Sequence, residues 1–349
     1  MKERKHTIGD LKQMQSLPLE SKIRMTMARI EGWIDEFGID GVYISFSGGK
    51  DSTVLMDIIR NEMGYKEIPA VFVNVPTQFP ELKEFAQTWD NVTILSPKIS
   101  FMQVCEKYGF PLISKNVSQA IKDVKTQSRT NGIDPRETIL YKRSFNPDSD
   151  YVKKYPAYSN VKWDFFFDAK FNISDECCKT MKKAPAKEYE KKTGRKPILA
   201  TMATESNLRQ TEWLMNGCNS FNGKRPSSKP MSFWTEQDVL KYIVEKNIPI
   251  CSVYGEVVED FESEGIFDNQ VTFDCFKEDR IYKTTGMKRT GCMLCGFGCH
   301  IRDDDRFLQL KESHEKMYNL LDVCKNNGVT FREAIEWTNE HLENQHIKL

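Results

Sequence analysis

The stretch Ser47-Gly48-Gly49-Lys50-Asp51-Ser52 constrains this chain more than any other, because of what flanks it. Before it runs Val42-Tyr43-Ile44-Ser45-Phe46, with the β-branched and aromatic content of a buried strand. After it, Thr53-Val54-Leu55-Met56-Asp57-Ile58-Ile59-Arg60 carries apolar residues at helical spacing. A strand, a glycine turn and a helix in that order aim free backbone N–H groups and the positive end of a helix dipole at one point, which is the geometry of a phosphate site. Gly48 and Gly49 let the backbone approach an anion, Lys50 adds a charge, and Ser47 and Ser52 add hydroxyl donors. The bland alternative is a plain glycine turn, in which a lysine and two serines have little packing purpose.

The common kinase and GTPase loop needs a glycine where Ile44 stands and a Ser or Thr where Asp51 stands. The dinucleotide fingerprint G-x-G-x-x-G is absent. The stretch resembles instead the PP-loop of the adenine-nucleotide α-hydrolase superfamily, which includes ATP pyrophosphatases, tRNA thiolation enzymes and phosphoadenylyl-sulfate (PAPS) reductases. The resemblance implies an adenine nucleotide held by Ser47, Gly48, Gly49, Lys50, Asp51 and Ser52.

Further along, Ala70-Val71-Phe72-Val73, Val92-Thr93-Ile94-Leu95 and Pro197-Ile198-Leu199-Ala200-Thr201 read as strands with helical patterns between and after them. Alternation of this kind predicts an α/β fold, a Rossmann-like parallel sheet with helices on both faces. Between residues 125 and 171 the pattern gives way to Asn, Pro, Asp, Lys and aromatics, which we read as an insertion or lid over the sheet. Helices are expected over 305–325 and 330–343. The 349 residues allow one large domain or two. The expected organisation is a helical segment 1–40, a nucleotide-binding domain 41–250 containing the insertion, and a cysteine-bearing helical region 251–349. A formal charge of zero gives no global case for nucleic acid or membrane. With no apolar run of ~18 residues and no signal core after Met1-Lys2-Glu3-Arg4-Lys5-His6, a cytoplasmic protein with no membrane partner is expected.

In that compartment ten cysteines point to metal or redox chemistry rather than to disulfides. Cys177 and Cys178 are adjacent, Cys292-Met293-Leu294-Cys295 forms a C-x-x-C, and Cys299 and His300 follow. A C-x-x-C by itself reads as zinc, iron–sulfur or a redox dithiol. A zinc site of Cys292, Cys295, Cys299 and His300, or a set of unrelated buried cysteines, leaves the adjacent pair unexplained. Neighbouring thiolates suit an iron–sulfur cube, which offers a separate iron to each sulfur. The pattern resembles the 4Fe–4S ligand set of adenylyl-sulfate reductases and cluster-bearing PAPS reductases. Three stretches agree with that resemblance: Glu176 to Pro185, Thr204-Glu205-Ser206-Asn207-Leu208-Arg209, and Pro230-Met231-Ser232-Phe233-Trp234-Thr235-Glu236-Gln237-Asp238-Val239. It covers residues 42 to 295 apart from 125–171. It implies a cluster on Cys177, Cys178, Cys292 and Cys295, with Lys182 as a lysine coupling cluster to substrate. Arg209 is implied as an anion contact, and a thioredoxin-like protein as the reductant.

Two family features differ. Asn74-Val75-Pro76 stands where the family carries Asp-Thr-Gly, although Phe79-Pro80-Glu81 is kept, so Phe79 and Glu81 are the expected nucleotide contacts in that loop. The family's C-terminal Glu-Cys-Gly-Leu-His, whose thiolate attacks sulfur, has no counterpart after His300. Cys299 is then the first candidate nucleophile, and Cys324 reads as a packed residue. Three functions remain open. The first is reductive cleavage of PAPS or adenylyl sulfate. The second is cleavage of ATP between its α- and β-phosphates to activate a nucleic acid for sulfur insertion. The third is nucleotide binding without catalysis. One local signal favours nucleic acid: eight Lys and Arg residues between Lys179 and Lys196, near Trp163-Asp164-Phe165-Phe166-Phe167. The alternative is a solvated helix face beside core aromatics.

Overall fold

The strand Val42–Phe46 sits in the middle of a six-stranded sheet, and four of its five side chains are buried. It pairs in parallel with Ala70–Val73 on one side (Ile44 opposite Ala70) and with Lys196–Leu199 on the other (Val42 opposite Lys196). Val92–Leu95 extends the first side in parallel, and Ser227–Ser228 extends the second. Asn219–Ser220 closes that edge antiparallel. The near-continuous apolar run at the centre is what a strand covered on both faces requires, whereas the edge strand Val92–Leu95 leaves Ile94 exposed. The expected parallel-dominated α/β sheet with flanking helices is therefore present. The computed structural model describes residues 4–223, 225–260, 280–301, 304–343 and 346–349. Residues 261–279 of the 251–349 region lie outside the described residues. No described helix is long and apolar enough to cross a membrane.

The chain divides into two compact units. The first comprises Met1–Asn74, Phe79–Leu95 and Ala186–Thr290 and contains the whole six-stranded sheet. Its helix Leu19–Phe37 turns Lys22, Thr26, Ile30 and Trp33 to the core, the one-sided spacing of an amphipathic helix. Lys22 Nζ lies 2.7 Å from both carboxylate oxygens of Asp238. One oxygen of Asp238 also accepts the Thr235 N–H at 2.7 Å, closing a capping box at the start of helix Glu236–Lys246. Tyr242 of that helix donates to Asp57 Oδ2 at 2.8 Å, at the end of helix Lys50–Asp57.

The second unit comprises Val75–Gln78, Ser96–Pro185 and Gly291–Leu349. Its core is aromatic: Phe110 stacks on Phe331 with centroids 4.7 Å apart, and Phe166 and Phe171 pack with Trp337. Residues 125–171 fall in this unit and are mostly helical rather than irregular, through Lys115–Asn131, Ile139–Ser144, Asp150–Lys154 and the 3₁₀ segment Val161–Phe167. The residues that look like loop signals are caps. Asp134, Thr138 and Ser149 each accept a backbone N–H at the start of a helical turn, at 2.8, 3.2 and 3.1 Å. The helix expected over 305–325 is three short ones, Arg306–Ser313, Glu315–Tyr318 and Leu320–Val323, separated at His314 and Asn319. Nearer the C-terminus, Phe331–Glu340 is helical, capped by Thr330.

The Lys22–Asp238 pair is nearly dry, and removal of one partner leaves an uncompensated buried charge. Lys22→Ala is expected to cost about 3–5 kcal/mol, read as a lower urea midpoint. A midpoint unchanged from the native protein would show that the pair contributes nothing.

Candidate functional site

The loop 47–52 turns the central strand into a helix, and the turn depends on two missing side chains. Gly48 has φ +71°, and a Cβ there would lie 3.0 Å from the Leu82 carbonyl oxygen. A Cβ on Gly49 would meet Ser47 Oγ and the Tyr254 hydroxyl, each at 3.2 Å. Helix Lys50–Asp57 starts from Gly49 with no side-chain cap, so its first-turn N–H groups keep their donor capacity. The two serines act within the loop. Ser52 Oγ donates to the Gly49 carbonyl at 2.8 Å and accepts the Ser47 N–H at 3.2 Å, while Ser47 Oγ accepts the Gly49 N–H at 3.3 Å. They hold the shape of the loop through bonds within it.

Lys50 is 5 % exposed and already engaged. Its ammonium donates to Glu236 Oε1 at 2.5 Å and to the Lys288 carbonyl at 2.9 Å, and lies 5.5 Å from the centroid of the Tyr254 ring. The Tyr254 hydroxyl pairs with Thr290 Oγ1 at 2.7 Å. Asp51 is the opposite case: its Oδ1 is buried and has no hydrogen-bond partner among the described residues. Burial raises the Asp51 carboxyl above its ordinary 3.8; Lys50, Arg209 and Arg289 oppose this, and Glu236 adds to it. Arg209 therefore shares a field with the loop. It lies in helix Asn207–Asn216, whose cap Ser206 accepts the Arg209 N–H at 3.3 Å, and its guanidinium pairs with Glu205. Phe79 is buried at the start of helix Pro80–Gln87, with Glu81 in the first turn.

Sequence reading missed Glu236, Tyr254, Lys288, Arg289 and Thr290. Glu236 lay inside a segment read only as a helix start, and Lys288-Arg289 is a basic pair just before the C-x-x-C. Both were visible as residues. Their convergence on Lys50 was not.

In the second unit, Cys177, Cys178, Cys292 and Cys295 line one small cavity, with Lys182, Met181, Leu294, Phe101, Val75 and Thr77 among its other walls. All four are free thiols. Cys178 opens a π-helix, Cys178–Lys183, and the wider turn of that helix stacks residues four and five apart, bringing Met181 and Lys182 onto the cysteine face. In the C-x-x-C turn the Cys295 N–H donates to the Cys292 carbonyl at 3.1 Å. The following pair, Gly296–Phe297, runs parallel to Leu112–Ile113, and a Cβ on Gly296 would lie 2.6 Å from the Pro111 carbonyl oxygen. Arg306 fixes the same backbone by donating to the Cys295 and Phe297 carbonyls at 2.9 and 3.0 Å. The Asn74-Val75-Pro76 departure acquires a place here: Val75 and Thr77 wall the cavity, and the Thr77 carbonyl accepts the Met293 N–H at 2.7 Å.

A hydrogen bond with Cys177 pulls the Cys178 thiol below its ordinary value; burial opposes this, and Lys115, Lys182 and Lys183 assist. Burial pushes Cys295 up to about 11. Lys182 is held above its usual range because its attraction to Cys292, Cys178 and Cys295 outweighs the burial that opposes it. Four thiols with no carboxylate or imidazole among them form a soft donor set of the kind that suits zinc or an iron–sulfur group. Among the described residues no three His, Cys, Asp or Glu side chains close on a single-ion site.

Cys299 and His300 stand apart from that cavity. Cys299 is 1 % exposed, its Sγ donates to the Cys295 carbonyl at 3.2 Å, and burial holds the thiol well above its ordinary range. His300 packs edge-on to Trp163 with centroids 5.4 Å apart. Trp163 and Phe166, from the aromatic run that favoured nucleic acid, are core residues, 5 % and 1 % exposed. Two of the nearby cations are in ion pairs, Lys179 with Asp175 and Glu176, and Lys192 with Glu188.

The raised Asp51 carboxyl has a consequence for stability. Below its ordinary 3.8 both folded and unfolded chains hold the proton; as pH rises through the folded value, the ionised form penalises only the folded state. Asp51→Asn is therefore expected to melt about 2–4 °C higher at neutral pH, with the gap closing in acid. A lower melting point at neutral pH would mean that the carboxylate is paired.

The sequence model of the phosphoadenosine phosphosulfate reductase domain matches residues 41–135 and 118–296, more than half of the chain. Among solved structures, the phosphate complex of PAPS reductase from Candida auris is similar over 71 % of this chain and 97 % of that one, at 15 % identity and a TM-score of 0.35. That structural likeness is too low to carry the assignment; the sequence match carries it. With the loop 47–52 and the cysteine segments inside the matched span, the chain belongs to the phosphoadenosine phosphosulfate reductase domain family.

Proposed function

We propose that this protein is an enzyme that binds an adenine nucleotide (PAPS, adenylyl sulfate or ATP) at the loop 47–52 and acts in sulfonucleotide chemistry. The observation that carries the reading is the polar constellation at that loop. An uncapped helix start, the cations Lys50, Arg209 and Arg289, and a buried Asp51 oxygen without a partner among the described residues lie together in one unit. The amides and cations suit an anion, and the Asp51 oxygen suits a donor on the same ligand. Lys50 reaches that anion by exchanging Glu236 for it. Chemistry at sulfate or phosphate needs little beyond positioning and charge neutralisation, which these groups supply.

Cys177, Cys178, Cys292 and Cys295 would hold a 4Fe–4S cluster. When bound, such a group adds charge and ties its two cysteine segments together. Lys182 places a cation against those thiols.

A second reading draws support from Cys299. Reductive cleavage needs a thiolate that attacks sulfur, breaks the S–O bond and releases the adenosine phosphate, with an external dithiol then freeing sulfite. Cys299 is a buried thiol bonded to a carbonyl, and burial holds it above its ordinary range. Adenylation needs no protein thiol: an acceptor oxygen attacks the α-phosphate, the bridging P–O bond breaks, and pyrophosphate leaves.

Calorimetry with PAPS, adenylyl sulfate and ATP is expected to show binding that Lys50→Ala weakens about tenfold or more. Binding of none of the three overturns the nucleotide reading. Sulfite release from PAPS with a dithiol marks reduction, and pyrophosphate release from ATP marks adenylation. Anaerobic purification is expected to give ~4 iron and ~4 sulfide per chain, lost in Cys178→Ser combined with Cys292→Ser. Stoichiometric zinc without sulfide overturns the cluster.

A further inference from the structure

The second unit carries an open recess of about 270 Å³ that is distinct from the cysteine cavity. Helix Lys115–Asn131 forms one wall, presenting Asn116, Gln119 and Asp123 at spacings that place them on one face. Arg143, from helix Ile139–Ser144, stands in another wall, and Tyr151 and Tyr158 complete it. The Arg143 guanidinium lies 4.6 Å from the centroid of the Tyr151 ring, and Tyr158 is 62 % exposed. Just along the chain, Lys154 lies 5.5 Å from the ring of Tyr155, itself 42 % exposed.

Rings this open add little to a core, and here they alternate with cations. Five basic residues (Lys142, Arg143, Lys153, Lys154, Lys162) face two acidic ones (Asp148, Asp150) between residues 142 and 162. Exposed rings stack on bases, neighbouring cations take phosphates, and amides opposite them hydrogen-bond base edges. The buried Trp163 and Phe166 supply none of this; the exposed tyrosines do.

We propose that this recess docks single-stranded nucleic acid, one base stacking on Tyr158 and the adjoining phosphates meeting Arg143 and Lys154. The surface is independent of the nucleotide loop, so the failure of either reading leaves the other standing.

The test is fluorescence anisotropy on the full chain with short labelled single-stranded DNA and RNA, the matching duplex, and a polyglutamate peptide. Single strands are expected to bind in preference to the duplex. Tyr158→Ala should weaken them about tenfold, while Tyr158→Phe, which keeps the ring, should not. Arg143→Ala should weaken binding and lower the slope of log affinity against log salt by about 0.7. Both side chains are exposed, and unchanged melting curves confirm that the variants fold. The proposal is overturned if no strand binds, if Tyr158→Ala or Arg143→Ala binds like the native protein, or if the duplex binds as well as the single strand. Polyglutamate binding that matches the strand's also overturns it, making the surface a dock for acidic protein.

Discussion

Two absent Cβ atoms set the geometry on which the first unit depends. The loop after the central strand must pass within contact distance of the Leu82 backbone on one side and the Tyr254 hydroxyl on the other, and only glycine allows both. That passage leaves the start of helix Lys50–Asp57 uncapped and draws Lys50 and Asp51 below the surface. Burial of this kind has an energetic consequence: each charged group must find a partner or wait for one. Lys50 has found Glu236 and a carbonyl, whereas one oxygen of Asp51 has found no partner among the described residues. The elements that brace the loop are polar at their own ends, through Tyr242 to Asp57 and through Lys22 to Asp238.

The second unit solves a different problem. Four thiols converge on a cavity whose remaining walls are mostly apolar, and backbone hydrogen bonds hold the turn that carries two of them. A π-helix supplies the other pair, because its extra residue per turn lets adjacent cysteines share a cavity with a lysine further along. The tripeptide that departs from the family at 74–76 belongs to this wall as much as to any nucleotide loop, since Val75 lines it and Thr77 is bonded to Met293.

Much of the fold was legible because its signals are local. The central strand, the next two strands and the loop helix follow from short apolar runs and one glycine pair. The helices within 125–171 were not legible because Asp134, Thr138 and Ser149 mark helix starts as readily as loops, and only backbone partners tell the two apart. The aromatic run at 163–167 could be surface or core from sequence. Packing of Phe166 against Phe171 and Trp337 made it core.

The sequence by itself determined the strand–glycine-turn–helix at 42–57, the pairing of the cysteines into two short segments and the family, since strand and turn preferences are written in neighbouring residues. Tertiary structure alone decided which groups meet. Lys50 takes partners 186 and 238 residues away, Asp51 keeps an oxygen that no described residue satisfies, and Cys299 bonds the Cys295 carbonyl rather than lining the cavity that Cys295 lines. Those outcomes depend on burial and on contacts distant in the chain, and the charge state of a buried group is set by the neighbours that packing gives it.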